Sequence, residues 1–125
     1  MVEVIQQLHL SGYKMGVLTS NTQENVIRFC EKFGVNHFEF IIAPNSIFGK
    51  SGALKDILKR NKVKSCDAIM IGDEIRDVKA AHKCNVDMLA VNWGFNATEL
   101  LQSANPRFLA HHPSQIVEML GYQPV

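Results

Sequence analysis

Apolar and polar positions along this chain follow two alternating periods. Val4, Ile5 and Leu8 recur at helical spacing, and Gly12 follows as a stop. Met15-Gly16-Val17-Leu18 is a short apolar run that predicts a buried strand closing on Thr19-Ser20-Asn21. Val26, Phe29, Cys30 and Phe33 share the core face of a predicted helix, which Gly34 ends. Phe38 to Ala43 predicts a second strand, and Pro44-Asn45 opens a loop holding Phe48-Gly49-Lys50-Ser51. Leu54, Ile57 and Leu58 mark a third helix. Ala68 to Ile71 predicts a third strand, Gly72 a tight turn, and Ile75, Val78 and Ala81 a helix behind it. Val86 to Val91 is a further strand, with Asp87 an unusual residue near its start. Asn92 to Asn96 is a loop, and Asn96 with Glu99 resembles a capping box. Phe108-Leu109-Ala110 predicts a last strand, and Pro113 the first turn of a helix through Leu120.

Strands thus alternate with helices of about ten residues, the pattern of βαβ units. The predicted fold is α/β: a three-layer, mostly parallel, doubly wound sheet. With 125 residues it is read as one domain spanning the whole chain. In such sheets ligands bind beyond the carboxyl ends of the strands. Thr19, Ser20 and Asn21 lie at one such end, and Asp73, Glu74 and Asp77 at another.

Composition narrows the partners. A net charge of +1 supplies no electrostatic drive toward nucleic acid or an acidic membrane. The amino-terminal residues show no secretory signal pattern, and no apolar run is long enough to span a bilayer. Cys30, Cys66 and Cys84 form neither a zinc pattern nor a disulfide framework, so a reducing cytoplasm is the expected location. Phe29, Phe33, Phe38 and Phe40 fit core positions better than a platform for bases. His111-His112 has no third ligand spaced near it.

The candidate chemistry is that of phosphate and a hard cation. Asp73, Glu74 and Asp77 crowd one turn, and four residues apart on a helix would put Asp73 and Asp77 on one face. Carboxylates held that close repel unless a cation sits between them, and their oxygens suit Mg²⁺. The competing reading makes Asp73 the helix N-cap, with the other acids complementing the dipole. Ser20 and Asn21 precede a helix N-terminus, which favours anions, although Ser20, Asn21 or Thr22 could equally be an ordinary cap. Lys50, in a loop leading into a helix, could place a point charge on a phosphate or be simply solvated.

In these motifs the sequence resembles the haloacid dehalogenase superfamily of phosphohydrolases, in its phosphoglycolate-phosphatase-like branch. Val17-Leu18-Thr19-Ser20-Asn21 resembles the second motif, which implies phosphoryl binding by Ser20, with Thr19 and Asn21 beside it. Phe48-Gly49-Lys50-Ser51 resembles the third, which implies that Lys50 stabilises a phosphorylated intermediate. Gly72-Asp73-Glu74-Ile75-Arg76-Asp77 resembles the fourth, which implies Mg²⁺ held mainly by Asp73, then Asp77, with Glu74 acting through water. Trp93-Gly94-Phe95 resembles a loop of the same branch. The resemblance implies a small phosphorylated metabolite as substrate.

One departure stands out. The family's first motif is Asp-x-Asp, carrying the nucleophile and the general acid/base, and this chain contains none; its aspartates are Asp56, Asp67, Asp73, Asp77 and Asp87. The family's cap also has no counterpart. The expectation is therefore a core portion truncated at its amino-terminal side, its sheet missing the usual first central strand. The gap would be closed by re-pairing, by a strand from a second copy, or by a complementing amino-terminal segment. The alternative is an inactive domain of this fold kept for binding or oligomerisation.

Overall fold

The structure, a computed structural model, describes residues 2–19, 22–43, 49–93 and 98–121. The chain divides into two compact units, Met1–Ile47 and Phe48–Val125.

In the first unit, α1 (Val2–Leu10) buries Val4, Ile5 and Leu8, the residues its spacing singled out. The chain leaves the helix through Gly12 at φ +90°, a left-handed conformation that a glycine takes without a Cβ penalty. β1 (Met15–Leu18) and β2 (Phe38–Ile42) pair in parallel, with the register shifting between Met15 and Val17. Gly16 sits at that shift, and the Phe40 ring fills the space a side chain would need. Between the strands runs α2 (Gln23–Phe33). The Thr22 side chain accepts the Asn25 N–H at 3.2 Å and caps its start; Gly34, at φ 68°, ends it. Gln23 Nε2 donates to the Ile41 carbonyl at 2.7 Å, tying the helix to β2.

The expected core face of α2 is not a core. The helix buries no residue: Val26 and Cys30 are half-buried, and Phe29 and Phe33 are exposed. The two phenylalanine rings pack on each other, 4.8 Å between centroids. A two-stranded sheet is too narrow to cover a full helical face, so the outer part of the apolar stripe stays wet.

The second unit holds α3 (Gly49–Arg60), β3 (Ile69–Gly72), α4 (Ile75–Lys83), β4 (Asp87–Val91), α5 (Thr98–Ser103), β5 (Phe108–Ala110) and α6 (Pro113–Gly121). A single 3-10 turn, Ser65–Asp67, leads into β3. The sheet order is β3-β4-β5, all parallel, running in register from Ile69↔Asp87 to Gly72↔Ala90 and from Leu89↔Phe108 to Val91↔Ala110. β4 is central, and its Met88, Leu89, Ala90 and Val91 are all buried, with Val78, Leu101 and Ile116 completing the core. Asp87 begins this strand because its carboxylate meets Arg107 at the solvent side.

Parallel strands joined by helices make this the α/β architecture that the pattern predicts, realised as ladders of two and three strands. Two local expectations change, and some lie outside the described residues. Gly49 and Lys50 belong to the first turn of α3 and not to a loop before it. Asp73 lies two residues ahead of α4, so it and Asp77 do not share a helix face. Pro44, Asn45, Phe48, Gly94, Phe95 and Asn96, and with them the Asn96 capping box, lie outside the described residues.

Candidate functional site

The site is built where β3 ends. Gly72 is the last strand residue, and the Asp77 carboxyl group folds back over it; a Cβ on Gly72 would stand 2.3 Å from Asp77 Oδ2. Asp73 and Glu74 make the turn. The N-cap of α4 is Glu74, in extended conformation, and not Asp73. Asp77, three residues into the cap, accepts the Glu74 N–H through Oδ2 at 3.2 Å. An acid here also meets the positive end of the helix dipole.

The other Asp77 oxygen, Oδ1, accepts a charge-assisted hydrogen bond from Lys50 Nζ. Both side chains are largely withdrawn from water, at 14% exposure for Lys50 and 5% for Asp77. Lys50 stands in the first turn of α3, where a helix dipole disfavours a cation. The Asp77 carboxylate offsets that cost. Glu74 turns toward Arg76, whose Nε and Nη2 both reach Glu74 Oε2, at 2.9 and 2.6 Å. The hydrogen bond and the charge of Glu74 together hold the Arg76 guanidinium above its ordinary value.

The second unit therefore brings Lys50 and Asp77 into contact, with Glu74 bonded to Asp77 through its backbone. Asp73 is adjacent in the turn and half-buried. Thr19 belongs to the first unit, where its N–H donates to the Ile42 carbonyl at 3.0 Å and prolongs the β1–β2 ladder. Ser20 and Asn21 lie outside the described residues. Of the three candidate caps for α2, Thr22 makes the bond.

Among the described residues no group of three His, Cys, Asp or Glu side chains gathers to hold a metal ion. By donor chemistry the turn suits Mg²⁺, which takes oxygen ligands and is commonly satisfied by one or two carboxylates and water. Asp77 and Glu74 already spend oxygens on Lys50, Arg76 and the cap.

Sequence reasoning missed Glu74 as the cap and Arg76 as its partner. The signal was present in Glu74-x-x-Asp77, an N-cap to N3 spacing, with a base between them. It also missed a polar cluster at the carboxyl ends of β4 and β5. There Asn92 Nδ2 donates to Thr98 Oγ1 at 3.1 Å and lies 2.5 Å from His111 Nδ1.

A parallel α/β fold with a lysine and carboxylates beyond a strand end places them at the edge where open α/β sheets bind ligands. The comparisons are more specific. The family model for haloacid dehalogenase-like hydrolases matches residues 1–91, and the chain belongs to this family. Its similarity to phosphoglycolate phosphatases includes one from Synechococcus elongatus, 31% identical over 117 residues, covering 93% of this chain and 55% of that protein. The tyrosine-protein kinase PtkA of Mycobacterium tuberculosis is 26% identical over 125 residues, covering 94% of this chain and 43% of its own. The crystal structure of a predicted phosphatase from Clostridium acetobutylicum superposes with a TM-score of 0.86 at 24% identity, covering 97% of this chain and 58% of that one. The chain spans about half the length of the phosphoglycolate phosphatases it matches. No helix among the described residues is long and apolar enough to cross a membrane.

Proposed function

We propose that this chain is the core portion of a Mg²⁺-dependent phosphoric monoester hydrolase acting on a small phosphorylated metabolite in the cytoplasm. The observation that carries this reading is the Lys50–Asp77 pair. It joins the lysine motif to the acidic motif at the carboxyl end of β3, where charge on a phosphoryl group could be met. The relatives named as phosphoglycolate phosphatases support hydrolysis as the reaction.

In this reading Lys50 neutralises phosphoryl charge, and Ser20, with Thr19 and Asn21, binds the phosphoryl oxygens. Asp73 is the principal ligand for Mg²⁺, and Asp77 and Glu74 are the further acids available to it. When bound, the cation would neutralise charge that builds on the phosphoryl oxygens. An aspartyl nucleophile would have to come from residues outside this chain, which contains no Asp-x-Asp.

The test is Mg²⁺-dependent hydrolysis of an aryl phosphate by the chain, alone and with an added segment bearing an Asp-x-Asp strand. Turnover is expected on addition of the segment and should disappear in Asp73→Asn and Lys50→Ala. A folded complex without turnover would overturn the reading.

The second reading, a non-catalytic module that self-associates or binds another chain, is favoured by the exposed Ile27, Phe29 and Phe33 on α2. It predicts no turnover under any complementation and a doubled mass in light scattering.

A further inference from the structure

We infer that the lysines around the end of α3, Lys55, Lys59, Lys62 and Lys64, form a docking surface for an acidic segment of a partner protein. The inference is independent of the hydrolase reading and holds whether or not the chain is catalytic.

Five basic residues fall within positions 55–64 of a chain whose net charge is +1. All five are exposed. Arg60 is answered by Asp56, one helical turn earlier, at 2.9 Å. Among the described residues no carboxylate forms an ion pair with any of the four lysines. Lys59 stands in the last turn of α3, where the dipole favours a cation. That field fades within a turn, so it does not account for Lys64, and Lys55 and Lys59, four residues apart on the helix, repel each other.

The end of the helix costs more. Lys62 lies at φ 54°, in the left-handed region. Its N–H donates to the Lys59 carbonyl at 3.2 Å, and the Val63 N–H donates to the Leu58 carbonyl at 3.0 Å, the paired bonds of a Schellman turn. The chain leaves α1, α2, α4 and α5 through left-handed Gly12, Gly34, Asn85 and Asn105. Glycine has no Cβ to clash, and asparagine can bond its own backbone; lysine has neither advantage. α3 therefore gives up stability at the position where a lysine extends the patch.

The chemistry of the partner follows from what the patch lacks. Residues 49–92 contain no Phe, Tyr or Trp on which bases could stack. None of the exposed large apolar side chains falls in the same stretch, so the patch has no apolar face to enter a membrane. Lysine offers a point charge and not the bidentate fork that matches phosphate. The helical part of the patch, Lys55 to Arg60, covers only about 8 Å of helix axis. A short run of carboxylates fits that extent and that charge.

The test is NMR of the ¹⁵N-labelled full chain titrated with a short glutamate-rich peptide, beside single-stranded DNA and phosphatidylserine vesicles at equal total charge. At low salt the peptide should move the backbone amides of residues 55–64, and about 0.5 M salt should abolish the shifts. Each of Lys55→Gln, Lys59→Gln and Lys64→Gln should weaken binding about two- to fivefold, the worth of one exposed ion pair. Lys32→Gln, on α2, should leave it unchanged. Lys62→Gly separates charge from fold: affinity should fall about two- to fivefold while Tm rises by a few degrees.

Absence of peptide shifts at low salt would overturn the inference, as would an equal loss of affinity in Lys32→Gln. Tighter binding of DNA or of vesicles than of the peptide would overturn the choice of partner. A Lys62→Gly chain that binds like wild type, or that melts earlier, would make Lys62 a structural residue and sink the argument from its backbone.

Discussion

α2 and α4 invite comparison, because each is an amphipathic helix that follows a short parallel strand. α4, of nine residues, buries Asp77, Val78, Ala80 and Ala81; α2, of eleven, buries none. The difference lies in what each packs against. α4 lies on β3 and β4 of a three-stranded sheet and also meets α3 and α5. Within its own unit α2 lies chiefly on β2 of a two-stranded ladder. An apolar stripe is a demand for a partner, and the width of the sheet decides how much of that demand is met. The candidate site follows the same division. The well-packed unit is the one that can hold a lysine and a carboxylate together away from water, since a buried pair needs a rigid surround.

The largest effect expected from this contrast comes from truncating the core of the second unit. Leu89, on the central strand, is fully buried. Leu89→Ala should cost about 2–5 kcal/mol in urea unfolding, the transfer term plus the cavity left behind. A cost below about 1 kcal/mol would mean that the three-stranded core is loose, and the contrast with the first unit would collapse.

Much of this contrast was legible in the residues, and part was not. The strand at Met88 to Val91 is apolar without interruption, and that alone predicts a strand buried on both faces. Phe29 and Phe33 carry an equally clear helical period, yet periodicity reports only which residues share a face. It is silent on whether a neighbour covers that face. The acidic turn shows the same limit. Spacing placed Asp73 and Asp77 one helical turn apart, whereas the helix starts at Ile75, because Glu74 is the cap. Asp77 also meets Lys50, a residue 27 positions away, and no local pattern reports a contact of that range.

An intermediate effect separates two strand glycines. A Cβ on Gly72 would strike Asp77, whose carboxyl group is pinned by Lys50 and by the Glu74 N–H. A Cβ on Gly16 would strike the ring of Phe40, which is only half-buried and has solvent to move into. Gly72→Ala should therefore cost about 1–3 kcal/mol, the usual range for overpacking a filled site. Gly16→Ala should cost less. The measurement is paired urea unfolding, and equal costs would show that the Asp77 carboxyl group yields as easily as an exposed ring.

The smallest effect is expected on α2, and it bears most directly on the first unit. Phe33 is 48% exposed, so about half of the gain from burying a phenylalanine is realised there. Phe33→Ser should cost no more than about 1 kcal/mol, and the loss should not depend on protein concentration. A loss as large as that of Leu89→Ala would mean that the α2 face is covered in solution. If the loss also grew with protein concentration, the cover would be a second copy of the chain, because a partner that binds only the folded form adds stability by mass action. The exposed stripe of Ile27, Phe29 and Phe33 would then be an interface, and the first unit's narrow sheet would be completed by association where the second unit's is completed by its own helices.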